Sequence, residues 1–131
     1  MLLDTSGLLC LAHRREPQHE QAVALYDSVT KRLIHSYVLD EFIALAHARH
    51  LPRQAALDFS ERVINDTEIE TVWVDETLHR NALALLRARP DKTYSLCDAV
   101  SFIVMRERKV TEALTTDHHF EQEGLVRLLP R

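Results

Sequence analysis

The sequence predicts an α/β fold: an open parallel sheet with helices on both faces. Three observations carry this. Short apolar or β-branched runs recur at residues 2–3, 31–35, 69–74, 113–116 and 126–129, bounded by polar residues. Between them lie segments whose apolar residues follow helical spacing. The segment from Ala99 to Met105 is apolar nearly all round, as expected of a helix buried against a sheet. Strands that alternate with helices are joined by crossovers, and crossovers give parallel pairing.

In chain order, Leu2 and Leu3 are followed by Asp4, Thr5, Ser6 and Gly7, and then by Leu8, Leu9, Leu11 and Ala12 at helical spacing. This reads as a buried strand, a tight turn and a helix. Asp4 falls at the end of the strand, the edge where open α/β sheets bind ligands. It is equally well placed as a helix N-cap. The stretch from His13 to Pro17 breaks the helix, and Pro17 opens the next, over residues 19–30, with Ala22, Val23, Leu25, Tyr26 and Val29 apolar. After the second strand, Ser36 caps a helix carrying Val38, Leu39, Phe42 and Leu45. At 100° per residue Glu41 lies beside Val38 and Leu45, while Asp40 lies further round, toward Ala44 and His47. The pattern favours Glu41 as the inward acid, although a solvated acid fits it too. Pro52 starts a helix that runs to Asn65. The third strand precedes a helix over 75–88 with Leu78, Ala82, Leu85 and Leu86 on one face. Ser95 and Asp98 have capping-box spacing and open the apolar helix. Asp117 follows the fourth strand and precedes a short helix over 118–123 and a last strand.

At 131 residues the chain suits one domain, 1–131, and 46% hydrophobic residues can fill its core without staples. Only 2 Gly and 4 Pro argue against linkers. No apolar run approaches the roughly 18 residues of a membrane span, and the N-terminus lacks a signal-peptide layout. Cys10 and Cys97 form no CxxC pair and read as packed, reduced thiols of a cytoplasmic protein. Net charge is −4, with 16 Lys+Arg against 20 Asp+Glu, a poor overall match to nucleic acid. Without four acids assigned to a metal site the balance is −4 + 4 = 0. Arg14, Arg15, Arg49, Arg53, Arg87, Arg89 and Lys92 are then candidates for phosphate contacts.

Those four acids are Asp4, Glu41, Asp98 and Asp117. In a parallel sheet all strand C-termini share one edge, so acids from four distant positions converge there, with no lysine in a matching position. Two unit charges about 4 Å apart repel by roughly 4 kcal/mol at an effective dielectric near 20, unless a cation joins them. Oxygen-only ligands point to Mg²⁺ or Mn²⁺, ions that serve phosphoryl chemistry. Ser6 and Thr116, beside the acids, are placed to orient water or phosphate. The histidines, including the adjacent His118 and His119, show no ligand spacing and read as surface or packing residues.

The motifs LLDTSGLL at the start, Glu41 in VLDEF, Asp98 in SLCDAVSFIVMRE and Asp117 in ALTTDHHFEQEG resemble the PIN domain family, specifically its small single-domain VapC-like ribonuclease toxins. The resemblance covers essentially the whole chain, and the last two motifs together are its most specific part. It implies a five-stranded sheet in the order 3-2-1-4-5 and a site of three core acids, Asp4, Glu41 and Asp98, with Asp117 as a fourth. It also implies a Mg²⁺- or Mn²⁺-dependent endoribonuclease, an RNA substrate, a homodimer and a cognate antitoxin protein. Thr116 departs from the aromatic residue common there. Two phosphoryl-transfer folds fit less well. A receiver domain needs an acidic neighbour for Asp4 and a late lysine, and Lys109 precedes its strand. A haloacid-dehalogenase-like phosphatase needs an acid where Ser6 stands. A non-catalytic binding module of the same fold is the alternative that metal-dependent RNA cleavage excludes.

Overall fold

The computed structural model describes all 131 residues as β1 (Leu2–Leu3), α1 (Thr5–Ala12), α2 (His19–Asp27), β2 (Arg32–His35), α3 (Ser36–Ala48), α4 (Arg53–Asn65), β3 (Ile69–Val72), α5 (Glu76–Arg87), α6 (Leu96–Arg108), β4 (Glu112–Leu114), α7 (His119–Gln122) and β5 (Val126–Arg127). The five strands pair in parallel in the order β3-β2-β1-β4-β5. This is the order the resemblance implies. The central strand is two residues long, and both are fully buried. Leu3 joins a core built with α1, α2, α3 and α4, and Leu2 joins the other, built with α5, α6 and α7. The alternation of side chains along a strand thus puts one leucine into each layer.

Helix boundaries are where sequence and structure differ. α2 begins two residues after Pro17, with Gln18 in the cap position, and ends at Asp27. Ser36 is not the cap of α3. His35 is: its Nδ1 accepts from the Val38 amide at 3.4 Å, while Ser36 Oγ accepts from the Val74 amide at 2.9 Å. The serine is spent tying the β3–α5 connection to the start of α3. His35 Nε2 also meets Ser101 Oγ at 2.7 Å, a fully buried link between β2 and α6. Burial lowers the His35 pKa to about 4, so the ring is neutral at physiological pH.

Gly7 sets how closely α1 approaches the sheet. A Cβ there would lie 1.9 Å from the Leu114 carbonyl oxygen. The contact brings the end of β4 against the first turn of α1, and with it Thr115 to Asp117 against Asp4 to Ser6.

Helices that start at the C-terminal edge of the sheet end at the other. At 1.5 Å per residue the ends of α1, α3 and α5 lie about 12 to 20 Å away from it. Arg14, Arg15, Arg49 and Arg87 follow or close these helices, so they belong to the far edge. Arg49 is also bound to the buried Glu16 at 2.9 Å, and Arg89 to the buried Glu123 at 3.2 Å. Of the candidates for phosphate contacts, Arg14, Arg15, Arg49 and Arg87 thus stand away from the acids, and Arg49 and Arg89 are held in ion pairs.

Candidate active site

The C-terminal edge of the sheet carries a cleft of about 390 Å³ lined by 11 residues. Asp4, Glu41, Asp98 and Asp117 are all among them, with Ser6 and Thr116, and no Lys or Arg is. Asp40 is not. Glu41 is exposed, on the second turn of α3, and leans its charge toward Asp4 and Cys97.

Asp4 occupies the N-cap position of α1 but makes no side-chain cap hydrogen bond. Its carboxylate Oδ2 accepts instead from Thr115 Oγ1 at 2.7 Å. Only 5% of the residue is exposed. Burial pushes its pKa up to about 7, and the nearby charges of Asp98 and Glu41 push the same way against the Thr115 hydrogen bond.

Asp98 both caps its helix and lines the cleft. With Ser95 it forms a complete capping box, Asp98 N to Ser95 Oγ and Ser95 N to Asp98 Oδ2, each 3.0 Å. The carboxylate is nonetheless part of the cleft wall and buried. Burial first, then the charge of Asp117, raises its pKa against the Ser95 amide. Asp117 Oδ1 accepts from the His119 amide at 2.9 Å, a local turn that fixes its orientation.

Two residues that contact the acids, one behind the cleft and one in its wall, escaped the sequence reading. The hydroxyl that holds Asp4 is that of Thr115, next to the Thr116 of the cleft wall. Thr115 Oγ1 donates to Asp4, accepts from the Asp117 amide at 3.0 Å and receives Ser6 Oγ at 3.3 Å, so it ties two acids and the α1 turn together. Thr116 contributes its amide, which donates to Ser6 Oγ at 3.0 Å. The signal was available: one more residue of β4 beyond Leu114 puts Thr115 at the edge beside Asp4. The other is His119. Its Nδ1 lies 3.3 Å from Asp98 Oδ2 and 3.2 Å from Asp117 Oδ1, while Nε2 meets Thr93 Oγ1 at 3.0 Å. Only the fold brings residue 119 back onto residue 98, so no spacing rule could find it.

Cys97 sits beneath the acids. Burial, followed by Glu41, Asp4 and Asp98, pushes its thiol pKa far up, so it is a packed thiol and not a nucleophile. The donor set fits a divalent cation: besides burial, Asp98 and Glu41 push the Asp4 pKa up and Asp117 pushes up that of Asp98, no Lys or Arg lines the cleft, and a bound cation would relieve that repulsion.

A parallel sheet ordered 3-2-1-4-5 with acids at its carboxyl edge is the frame of a PIN domain. The PIN domain family model matches residues 1–124, and the chain belongs to that family. Among known proteins it is similar to the 23S rRNA-specific endonuclease VapC20 of Mycobacterium tuberculosis, found in two strains. Identity is 29% over 131 residues, covering 99% of this chain and 98% of the relative. The crystal structure of Mycobacterium tuberculosis VapC20, titled a Sarcin-Ricin loop cleaving toxin, superposes with a TM-score of 0.87 at 26% identity over 95% of each chain.

Proposed function

We propose that the chain is a divalent-metal-dependent endoribonuclease, the toxin of a toxin–antitoxin pair. The observation that carries this is the acid cleft, with Asp4, Glu41, Asp98 and Asp117 drawn from four separate stretches of sequence to one edge. A bound Mg²⁺ or Mn²⁺ supplies a nucleophilic water at neutral pH and stabilises charge on the phosphate oxygens. Asp4 and Asp98 are the buried ligands, with Glu41 and Asp117 at the open side. Thr115 holds Asp4 through its hydroxyl, and Ser6 braces the turn that carries it. With no Lys or Arg in the cleft, RNA binding there depends on the cation. The likeness to VapC20 over nearly full length makes a structured ribosomal RNA loop the substrate class to test first. The two buried free cysteines fit a reducing, cytoplasmic setting, and no helix is long and apolar enough to cross a membrane.

Incubating the purified protein with a sarcin–ricin-type RNA hairpin and a scrambled hairpin, with Mg²⁺, with Mn²⁺ and with EDTA, tests this. Cleavage confined to the metal-containing reactions is expected. Intact RNA in all of them would leave the non-catalytic PIN-fold module as the reading.

Asp98→Asn separates the cap from the ligand. The amide keeps an acceptor for Ser95, so the capping box survives. Mn²⁺ at a hundredfold excess over its dissociation constant should stabilise wild type by about 2.7 kcal/mol. For a domain of this size that is roughly 8 °C in melting temperature. The variant is expected to gain much less, and equal metal-induced shifts would remove Asp98 from the ligand set.

Assembly follows from the α2 and α4 faces. Val23, Leu57 and Ile64 are exposed there, and an apolar groove of about 320 Å³ opens between α1, α2 and α4 beside Leu11, Tyr26 and Phe59. These surfaces support a homodimer and an antitoxin partner. Light scattering at tens of micromolar, above ordinary interface affinities, should show a dimer, and a monomer there would refute it.

A further inference from the structure

We propose that Asp117, His118 and His119 form a second cation position beside the oxygen-only acids, one that takes a borderline transition ion through imidazole nitrogen. The proposal builds on the reading of the cleft as a metal site and adds a nitrogen-ligated position to it. The carboxylate and ring-nitrogen atoms of these three residues all lie within 4.8 Å of one another. Asp117 Oδ1 is 3.7 Å from His118 Nδ1 and 3.2 Å from His119 Nδ1, and Asp98 Oδ2 is 3.3 Å from His119 Nδ1. Metal–nitrogen and metal–oxygen bonds near 2.0–2.2 Å place neighbouring tetrahedral ligand atoms about 3.3–3.5 Å apart. The side chains therefore stand close to the separation a single ion requires.

The state of His119 is a second, independent observation. Its Nδ1 is buried and has no hydrogen-bond partner. Its Nε2 is 3.0 Å from Thr93 Oγ1, and the Tyr94 ring meets it edge-on at 5.3 Å. The tautomer with Nε2–H toward Thr93 Oγ1 is the one that turns the Nδ1 lone pair toward the carboxylates of Asp98 and Asp117. A lone pair aimed at two anions is repelled by both, and a cation among the three turns each contact attractive. Metal-binding histidines are held in this way, the far nitrogen fixed by an outer partner that sets tautomer and ring plane. The His119 amide, donating to Asp117 Oδ1, orients the carboxylate toward the same point. His118, with 65% of its side chain exposed, closes the open side without disturbing the core. Imidazole suits Zn²⁺ and the later first-row ions, for which Co²⁺ is a spectroscopic stand-in, while Mg²⁺ and Mn²⁺ favour oxygen.

The test is Co²⁺ titration of the EDTA-stripped full chain, read by visible d–d absorption, followed by competition with Zn²⁺ and with Mg²⁺. Wild type is expected to give a nitrogen-ligated Co²⁺ spectrum and to bind Zn²⁺ about a hundredfold tighter than Mg²⁺. His119→Gln should weaken Co²⁺ and Zn²⁺ binding by about 10- to 100-fold, and the exposed His118→Gln by a smaller factor. Both should keep the Mg²⁺-induced thermal shift of wild type. Unchanged Co²⁺ affinity in both variants, or an all-oxygen spectrum in wild type, overturns the proposal. RNA cleavage is scored separately. A His-dependent Co²⁺ site in a protein that cuts no RNA would sink the nuclease reading alone. Cleavage with Mg²⁺ and no His dependence of Co²⁺ binding would sink this inference alone.

Discussion

Asp4→Asn is expected to lose RNA cleavage by about a hundredfold or more, as a buried ligand should, and to flatten the pH dependence of stability in metal-free buffer. The second effect follows from burial. The folded-state pKa of Asp4 is about 7, above the ordinary aspartate value of 3.8. The native state therefore holds this proton more tightly than the unfolded chain does. The stability it contributes is fully present below about pH 4 and is lost as pH rises through about 7. About three pKa units at 1.36 kcal/mol each put the whole span near 4 kcal/mol, with about 3 of it falling between pH 5 and pH 8. In EDTA, wild type should melt roughly 10 °C lower at pH 8 than at pH 5. Asn keeps an acceptor for Thr115 Oγ1 and carries no charge, so the variant should lose most of that slope. A divalent ion should restore wild type at pH 8 and leave the variant nearly unmoved. Thermal melts at the two pH values, with and without Mn²⁺, measure all of this. An unaltered slope in Asp4→Asn would place the titrating carboxyl elsewhere.

Gly7→Ala should be far more damaging than Gly124→Ala would be on steric grounds, since nothing lies within 4 Å of a Cβ at Gly124. Its Cβ would meet Leu114 O at 1.9 Å and Leu114 C at 2.6 Å. Both are backbone atoms of β4, so no side chain can swing away. Relief requires moving α1 off the sheet or β4 off β1, and the Asp4 amide donates to the same Leu114 carbonyl at 3.2 Å. We expect a loss of about 3 kcal/mol or more, at the upper end of overpacking effects, and a melting temperature lower by about 10 °C. Cleavage should fall further than stability explains, because Thr115 and Asp117 move with Leu114. A variant melting within 2 °C of wild type, a margin well under 1 kcal/mol, would mean that α1 stands further from the sheet.

The sequence determined the architecture because the local signals agreed with one another. Apolar runs, helical spacing and turn residues marked every strand and helix, and their alternation forced a parallel sheet. The shared carboxyl edge then placed Asp4 and Asp117 together before any distance was known. The 100° step along α3 favours Glu41 over Asp40 without deciding between them, and the cleft wall contains Glu41, exposed, and not Asp40. Cap and ligand readings for Asp98 were indistinguishable in sequence because they share a residue: a capping-box carboxylate can also line a cleft.

Tertiary structure decided the charges and the partners. Whether Asp4 caps α1 or is buried beneath a threonine depends on Thr115, just past β4 and 111 residues away in the chain. Arginine pairing is equally non-local: Glu16 takes Arg49, and Glu123 takes Arg89 and Arg106. His119 faces Asp98 only because α7 folds back onto the start of α6. Periodicity reports which face of an element is apolar, whereas desolvation and charge coupling depend on what packs against that face. The acids were therefore legible from the sequence, and their burial, their raised pKa values and the imidazole between them were not.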